Sequence, residues 1–287
     1  MRPARQTPSR TDIALIGPGR LGQALGRLLS QAGYPVRFVV ARRRAQARRA
    51  VHFIGSGRAL GLDAPELAEA SAILITTADA AVGPMARRLA SLSKDWSGKV
   101  VLHTCGSLPA SVLRPLRRRG AAIGSLHPFQ TVPSPAAGVQ NLLGCFWALE
   151  GDPAARKVAA RWVKAFGGVS FRVSSSQKTL YHLAAFLVCP TTVTLMDHSL
   201  RLLGRSRVPA RIARPMLAKF VAETARNFVE LGSRRALTGP AVRGDWRTIR
   251  RHLRALRRVS PEVIPLYREL LRAMLRLAGR RLPSRLL

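Results

Sequence analysis

Apolar positions along the chain fall into two regimes. From Asp12 to about Ser174, short apolar runs recur: Ile13-Ala14-Leu15-Ile16, Val36-Arg37-Phe38-Val39-Val40, Ala72-Ile73-Leu74-Ile75, Val100-Val101-Leu102, Ala121-Ala122-Ile123-Gly124, Phe146-Trp147-Ala148-Leu149 and Val169-Ser170-Phe171-Arg172-Val173. Between them lie stretches of helical period, among them Leu21-Ala24-Leu25-Leu28-Leu29, Pro84 to Leu92 and Pro153 to Phe166. Runs this short and this apolar are buried strands, and their alternation with helices predicts a largely parallel sheet covered on both faces. Beyond Ser174-Ser175-Ser176 the strand signal stops. Only helical periods remain, broken at Gly204, Pro209, Gly232, Gly239-Pro240, Gly244 and Pro261. The expected organisation is an α/β domain over residues 11–174 and an all-α domain over residues 175–287. Within the latter, Arg268, Arg272, Arg276 and Arg280 recur every fourth residue opposite Leu270, Leu271, Met274, Leu275 and Leu277, the pattern of a solvated cationic helix face.

The first strand runs directly into Gly17-Pro18-Gly19-Arg20-Leu21-Gly22, a G-x-G-x-x-G turn. Gly17 suits a tight turn, Gly19 removes a side chain that would block a pyrophosphate, and Gly22 lets the helix beginning there pack closely. The amides at that helix start are an anion site. A glycine turn alone is weak evidence, but here a strand precedes it and an amphipathic helix follows. The fold expectation is therefore Rossmann-like and doubly wound. After the second strand, where an NAD-binding chain carries Asp or Glu for the ribose 2′-hydroxyl, this chain reads Ala41-Arg42-Arg43-Arg44. Guanidinium groups there suit a 2′-phosphate, so the expected cofactor is NADP, with Arg42 and Arg43 on the phosphate.

Ligands on such sheets sit beyond the carboxyl ends of the strands. The residues that follow the strands are thus the candidates: Thr77-Ala78-Asp79, His103-Thr104-Cys105-Gly106-Ser107 and Ser125-Leu126-His127-Pro128. Thr77, Ala78, Thr104 and Ser107 are expected to line the cofactor site. Asp79 reads either as a nicotinamide contact or, as its sequence context favours, as a cap for the helix expected near Pro84. Cys105 is a weaker nucleophile candidate, since no base is paired with it in sequence.

Composition changes the picture in one respect. Lys+Arg 48 against Asp+Glu 14 leaves a formal charge of +34, a balance met in proteins that contact nucleic acid or anionic surfaces. The cations are almost all arginine and spread from Arg2 to Arg285, with no nucleic-acid motif, so contact with polyanions is expected to be nonspecific. Three separated cysteines, Cys105, Cys145 and Cys189, form neither a disulfide framework nor a metal site. No signal-peptide core follows the basic N-terminus, and no run approaches the ~18 apolar residues of a membrane helix. A cytoplasmic protein without membrane insertion and without a metal is expected.

Three motifs then carry a resemblance. Gly124-Ser125-Leu126-His127-Pro128-Phe129-Gln130-Thr131, Lys178-x-x-Tyr181-His182 and Leu237-Thr238-Gly239-Pro240-Ala241-Val242-Arg243-Gly244-Asp245 together resemble a bacterial NADP oxidoreductase family in which a Rossmann-like domain precedes a helical domain of unknown function. The resemblance spans Asp12 to about Ala278. In architecture the chain is similar to pyrroline-5-carboxylate reductase, prephenate dehydrogenase and the 3-hydroxyacid dehydrogenases, the 6-phosphogluconate-dehydrogenase-like group. It implies a substrate held in an interdomain cleft and a homodimer formed through the helical domain.

The resemblance also implies roles. His127-Pro128 is similar to the Gly-x-His-Pro turn of prephenate dehydrogenases, whose histidine hydrogen-bonds the reacting oxygen. Lys178 resembles the general-acid lysine of Lys-x-x-Asn-Asn in the 3-hydroxyacid dehydrogenases, with Tyr181 and His182 replacing both amides. Offsets of three and four put Lys178, Tyr181 and His182 on one helix face. Unaided by resemblance, a lysine at a helix start is a solvated residue and a His before Pro a packed turn. Arg243 and Asp245 read either as a structural pair or as a carboxylate-binding arginine with its partner. Where the family continues with a small residue and Asn, this chain has Val188-Cys189-Pro190, which removes a backbone donor and should kink the helix.

The expected function is an NADP-dependent oxidoreductase moving hydride between nicotinamide and a carbonyl, imine or alcohol carbon of a small metabolite. Lys178 and His127, supported by His182, would handle the accompanying proton. The alternative is a non-catalytic NADP sensor acting through a partner.

Overall fold

The computed structural model describes residues 11–281. Its strands and helices alternate as β1 (Ile13–Ile16), α1 (Arg20–Gln31), β2 (Val36–Val40), α2 (Arg44–Ile54), β3 (Arg58–Leu60), β4 (Ala72–Ile75), α3 (Asp79–Leu92), β5 (Val100–His103), α4 (Arg114–Arg117), β6 (Ala122–Pro128), α5 (Pro135–Leu142), β7 (Phe146–Gly151), α6 (Pro153–Ala165) and β8 (Val169–Arg172). They form one eight-stranded sheet of order β3-β2-β1-β4-β5-β6-β7-β8. Every neighbouring pair is parallel except β6 and β7, which run antiparallel with Ser125 opposite Glu150. The order reverses at β1, and the chain crosses from one wing of the sheet to the other at β4. Ligands bind at such a switch point in open α/β sheets.

All four residues of β1 are buried, as an interior parallel strand covered on both faces requires. Successive side chains enter opposite layers. Ile13 and Leu15 join Leu25, Leu29, Trp147 and Trp162 in one core. Ala14 and Ile16 join Ile73, Ile75, Val82, Leu89 and Trp96 in the other.

The structure shifts several expected boundaries. Helix α1 begins at Arg20 rather than at Gly22. Helix α3 begins at Asp79 rather than near Pro84, which lies inside it; the proline was read as a start, but six residues into a helix its loss of one donor is tolerated. Asp79 is accordingly the first helical residue, and Ala78 occupies the cap position. The short β3, with Arg58 exposed, and the arginine-rich α2, with only Ala47, Ala50 and Ile54 buried, were not expected from sequence.

Helices follow β8 throughout the remaining described residues: α7 (Lys178–Arg205), α8 (Ala210–Ala236), α9 (Pro240–Arg243), α10 (Trp246–Val259) and α11 (Ile264–Ala278). The compact units divide between Leu187 and Val188, inside α7 and beyond the composition change at Ser174. Pro190 does not end α7, which is helical on both sides of it. Gly232 interrupts α8 with φ 72°, a left-handed value that glycine alone adopts readily. The second unit has a small core of Ala241, Ile249, Leu253, Leu271 and Leu275. Asp245 caps α10, its carboxylate accepting from the Thr248 amide at 3.0 Å, and the Thr248 bonds, aided by the Arg243 charge, lower its pKa. Arg268 and Arg272 are half-buried and only Arg276 and Arg280 are exposed, so the cationic face is less open than expected.

One helix, over Ser175–Arg205, is long and apolar enough to cross a membrane by length and composition alone, which does not contradict the expectation of no membrane insertion.

Candidate active site

Two adjoining groups of residues gather at the carboxyl ends of β1, β4, β5 and β6, all within the first unit. The first is the glycine turn. Gly17 has φ 82°, and a Cβ there would lie 2.5 Å from the Thr77 methyl. Its amide donates to the Val40 carbonyl at 2.9 Å, and the Thr76 hydroxyl donates to its carbonyl at 2.7 Å. Gly22 is equally confined: a Cβ would lie 2.3 Å from Thr76 Oγ1 and 3.0 Å from the Gly17 carbonyl, so it lets α1 approach the ends of both β1 and β4. Gly19 is different. Nothing beyond its own turn lies within 4 Å of a Cβ built there, so the missing side chain leaves space for something outside the fold.

Gly19 caps α1 without a side-chain bond, and no acidic residue occupies the first turn. The first amides of the helix are therefore free for an anion. Pro18 is buried while Gly19 and Arg20 are exposed. A cavity of about 800 Å³ opens here, lined in part by Gly17, Pro18, Arg42, Gln46, Thr77 and Ala78. Leu62, Met85 and Pro84 add apolar wall, and Asp63 with Arg88 closes one side as an ion pair. Thr77 Oγ1 is buried without a hydrogen-bond partner, an unspent polar atom on the cavity wall. The residues fit a dinucleotide: an open glycine, free helix amides, an orphan hydroxyl and Arg42 after β2. Arg43 is exposed at the cap of α2, and Leu21 follows Arg20 in the first turn of α1.

The second group surrounds Gly106. The Tyr181 hydroxyl lies 2.8 Å from His127 Nδ1, with the rings 5.5 Å apart and perpendicular. His182 packs edge-on to His127 at 5.9 Å. A Cβ on Gly106 would stand 2.6 Å from His182 and 2.7 Å from His127 Nε2, so both imidazoles close over a residue that must lack a side chain. Phe129 and Phe171 pack against the Tyr181 ring. Burial is the main cause that pushes His127 down to about 4, with the Lys178 and His182 charges adding to it. His127 is neutral at pH 7. Burial likewise pushes the Tyr181 phenol up, so it remains a proton donor.

Lys178 is 1% exposed. Its Nζ donates to Ser125 Oγ at 2.7 Å and to the Cys105 carbonyl at 3.1 Å. Burial lowers its pKa, opposed by Glu150. Glu150 is itself buried and accepts from the Ala110 amide at 2.6 Å and the Ser175 hydroxyl at 2.7 Å, with Ser125 Oγ at 3.5 Å. The ammonium thus ties the loop after β5 to β6 and the start of α7.

Of these residues Ser125 is among the candidates that follow the strands, as is His103, whereas Glu150 was not singled out from sequence. His103 is fully buried and pushed down to about 3 by burial first and Lys178 second. Its Nδ1 accepts from the Cys105 amide at 3.2 Å, which puts the proton of the neutral ring on Nε2, and that atom has no partner. Thr104 is buried, and Ser107 donates to Asp79 Oδ2 at 3.3 Å. Cys105, also buried, has its thiol pushed up by burial, which removes it as a nucleophile. Among the described residues no His, Cys, Asp and Glu cluster could hold a metal.

Residues 2–128 match the Rossmann-like domain family, and residues 145–274 match the family described as Domain of unknown function (DUF2520). The chain joins a Rossmann-like domain to a DUF2520 domain. The DUF2520 match begins at Cys145, so it includes β7, α6 and β8 and does not coincide with the compact helical unit. Among solved structures, the putative NADP oxidoreductase BF3122 from Bacteroides fragilis is 25% identical with a TM-score of 0.74, covering 92% of this chain and 98% of that one. A reductive aminase from Aspergillus terreus in complex with NADPH and ethyl-5-oxohexanoate is 18% identical with a TM-score of 0.66, covering 94% and 98%. Prephenate dehydrogenase from Aquifex aeolicus is 14% identical with a TM-score of 0.51, covering 90% and 96%. These last two share the fold. No curated protein matches the sequence.

Proposed function

We propose that the protein is an NADP-dependent oxidoreductase acting on a carbonyl, imine or alcohol carbon of a small metabolite. The observation that carries this reading is the pairing of a neutral His127 with the Tyr181 hydroxyl, over Gly106, beside a glycine turn that fits a dinucleotide. The amides of Arg20, Leu21 and Gly22 would take the pyrophosphate, and Arg42, with Arg43 beside it, the 2′-phosphate. Thr77, Ala78, Asp79, Thr104 and Ser107 border the path from the turn to the histidines. When bound, the nicotinamide supplies or accepts hydride.

The proton that accompanies hydride transfer falls to Tyr181 and His127. A phenol held in its protonated form donates to the developing oxyanion or amine, and the neutral imidazole at 2.8 Å stabilises the hydroxyl as its charge changes. Lys178 does not face open space. Its ammonium holds the Cys105 carbonyl and Ser125 in place and lowers the pKa of His127, a positioning role rather than that of general acid. The NADPH-bound neighbours and the B. fragilis protein support the cofactor assignment.

The same reading includes a homodimer. Ile212, Met216, Phe220, Phe228, Val229 and Leu231 of α8 are all exposed, more apolar surface than a monomer ordinarily leaves to water. A second copy of the chain would cover it.

A fluorescence titration with NADPH and NADH at physiological salt, repeated on Arg42→Ala, tests the cofactor. Tight NADPH binding that weakens at least tenfold in the variant is expected. Turnover of cyclic imines and 2-oxo acids, compared with Tyr181→Phe, then tests the chemistry. Tight binding without turnover of any of them would instead favour a cofactor sensor acting through a partner.

A further inference from the structure

A second cavity, of about 370 Å³, lies in the first unit away from the glycine turn, where β6, β7 and β8 meet the start of α6. Arg117, Arg156 and Arg172 line it together with Glu150, Asp152 and Ser111. Both carboxylates already have donors. Glu150 takes the Ala110 amide and the Ser175 hydroxyl. Asp152 takes the Ile123 amide at 3.0 Å and pairs with Arg117 at 3.0 Å.

The guanidinium groups are not spent to the same degree. Arg156 uses Nε on the Gly151 carbonyl, which leaves its two terminal nitrogens. Arg117 commits one nitrogen to Asp152. Arg172, exposed at the end of β8, forms no hydrogen bond or ion pair with the described residues. The wall therefore offers many free donors and few free acceptors, from three side chains on three separate elements. Convergent guanidinium groups of this kind recognise oxyanions through paired N–H donors.

We propose that this cavity binds a small organic dianion, a phosphate ester or a dicarboxylate, at a site distinct from the cofactor turn. Its volume suits a ligand of metabolite size. Its wall is also linked to the candidate active site, because Glu150 holds Ser125, which holds Lys178. Occupancy would thereby be felt at the Lys178 ammonium.

Calorimetric titration of the full chain with glycerol 3-phosphate and, separately, succinate, at about 150 mM salt, tests the site and distinguishes the two sources of oxyanion. Saturable binding of at least one is expected, weakened about tenfold or more in Arg172→Gln, a change that removes no contact of the fold. Ser111→Leu should also abolish binding by filling the cavity while leaving every charge in place. Arg42→Gln and Arg251→Gln/Arg254→Gln should bind as the parent does. Absence of saturable binding, binding indifferent to Arg172→Gln and Ser111→Leu, or equal loss in the α10 double variant would each overturn the proposal, the last by showing attraction to net charge alone.

Discussion

Tyr181 and His127 are joined by a 2.8 Å contact between the phenol oxygen and Nδ1, although they lie 54 positions apart on a helix and a strand. Only the edge-on packing of the two rings and the bare Cα of Gly106 beneath them make the approach possible. Replacing Tyr181 with Phe keeps the ring contacts with Phe129 and Phe171 and removes only the hydroxyl. Turnover should fall by roughly 10²–10⁴-fold, the usual worth of a positioned acid, with NADPH affinity unchanged. Steady-state kcat and a parallel cofactor titration measure both. A variant that loses affinity and keeps kcat would place Tyr181 in cofactor binding instead.

How much of this was legible beforehand depends on the range over which each signal acts. The β1 turn and α1 were readable because the apolar run, the glycines and the amphipathic period are all local. The histidine and the Lys178-Tyr181-His182 helix face were readable through resemblance. The partnership of Lys178 with Ser125 and Glu150 was not, since it depends on the antiparallel register that sets Ser125 opposite Glu150. One signal was available: Glu150 is an acid at the end of an apolar strand, in a chain with few acids. The start of α3 was misplaced because Pro84 looks like a first-turn proline, and the sequence does not show that Ala78 serves as the cap.

The Lys178 network predicts a coupling. Lys178→Met leaves Glu150 without its cation and Glu150→Gln leaves the buried ammonium without its countercharge. Each single variant should lose about 1–3 kcal/mol, the cost of leaving a buried polar group short of a partner. The double variant should lose less than the sum, with a coupling of about 0.5–3 kcal/mol in urea denaturation. Strict additivity would mean that Ser125 and the Cys105 carbonyl satisfy the lysine between them and that the carboxylate serves only Ala110 and Ser175.

The apolar face of α8 predicts an association state. Sedimentation of the parent should give twice the chain mass. Phe220→Glu/Phe228→Glu should shift it to one chain mass, or to aggregates if the monomer cannot keep the rest of that face in water. Neither phenylalanine belongs to the small core of the second unit, so far-UV circular dichroism should be unchanged. A parent that sediments as a monomer would remove the dimer from the proposed function.

The buried histidines predict how stability follows pH. His103 and His127 titrate near 3 and 4 in the fold against 6.5 when unburied, chiefly because burial disfavours the imidazolium. Between those values the unfolded chain binds protons that the folded chain refuses, so stability rises with pH across that window. Their contribution is complete above about pH 6.5 and is lost as the pH falls through 4 and then 3. The melting temperature should therefore be level near neutrality and drop from pH 6.5 downward, well before carboxylates such as Asp12, itself held low by Ser71 and Arg37 against its partial burial, begin to protonate. Replacing His103 with Asn preserves an acceptor for the Cys105 amide and removes one titrating ring. It should flatten the slope between pH 6 and 4 by up to about 1.4 kcal/mol per pH unit, one proton's worth. His127→Gln should do the same over the upper part of the window. If both variants track the parent slope, the acid sensitivity arises elsewhere, and the His103 and His127 imidazoles are open to water in the fold.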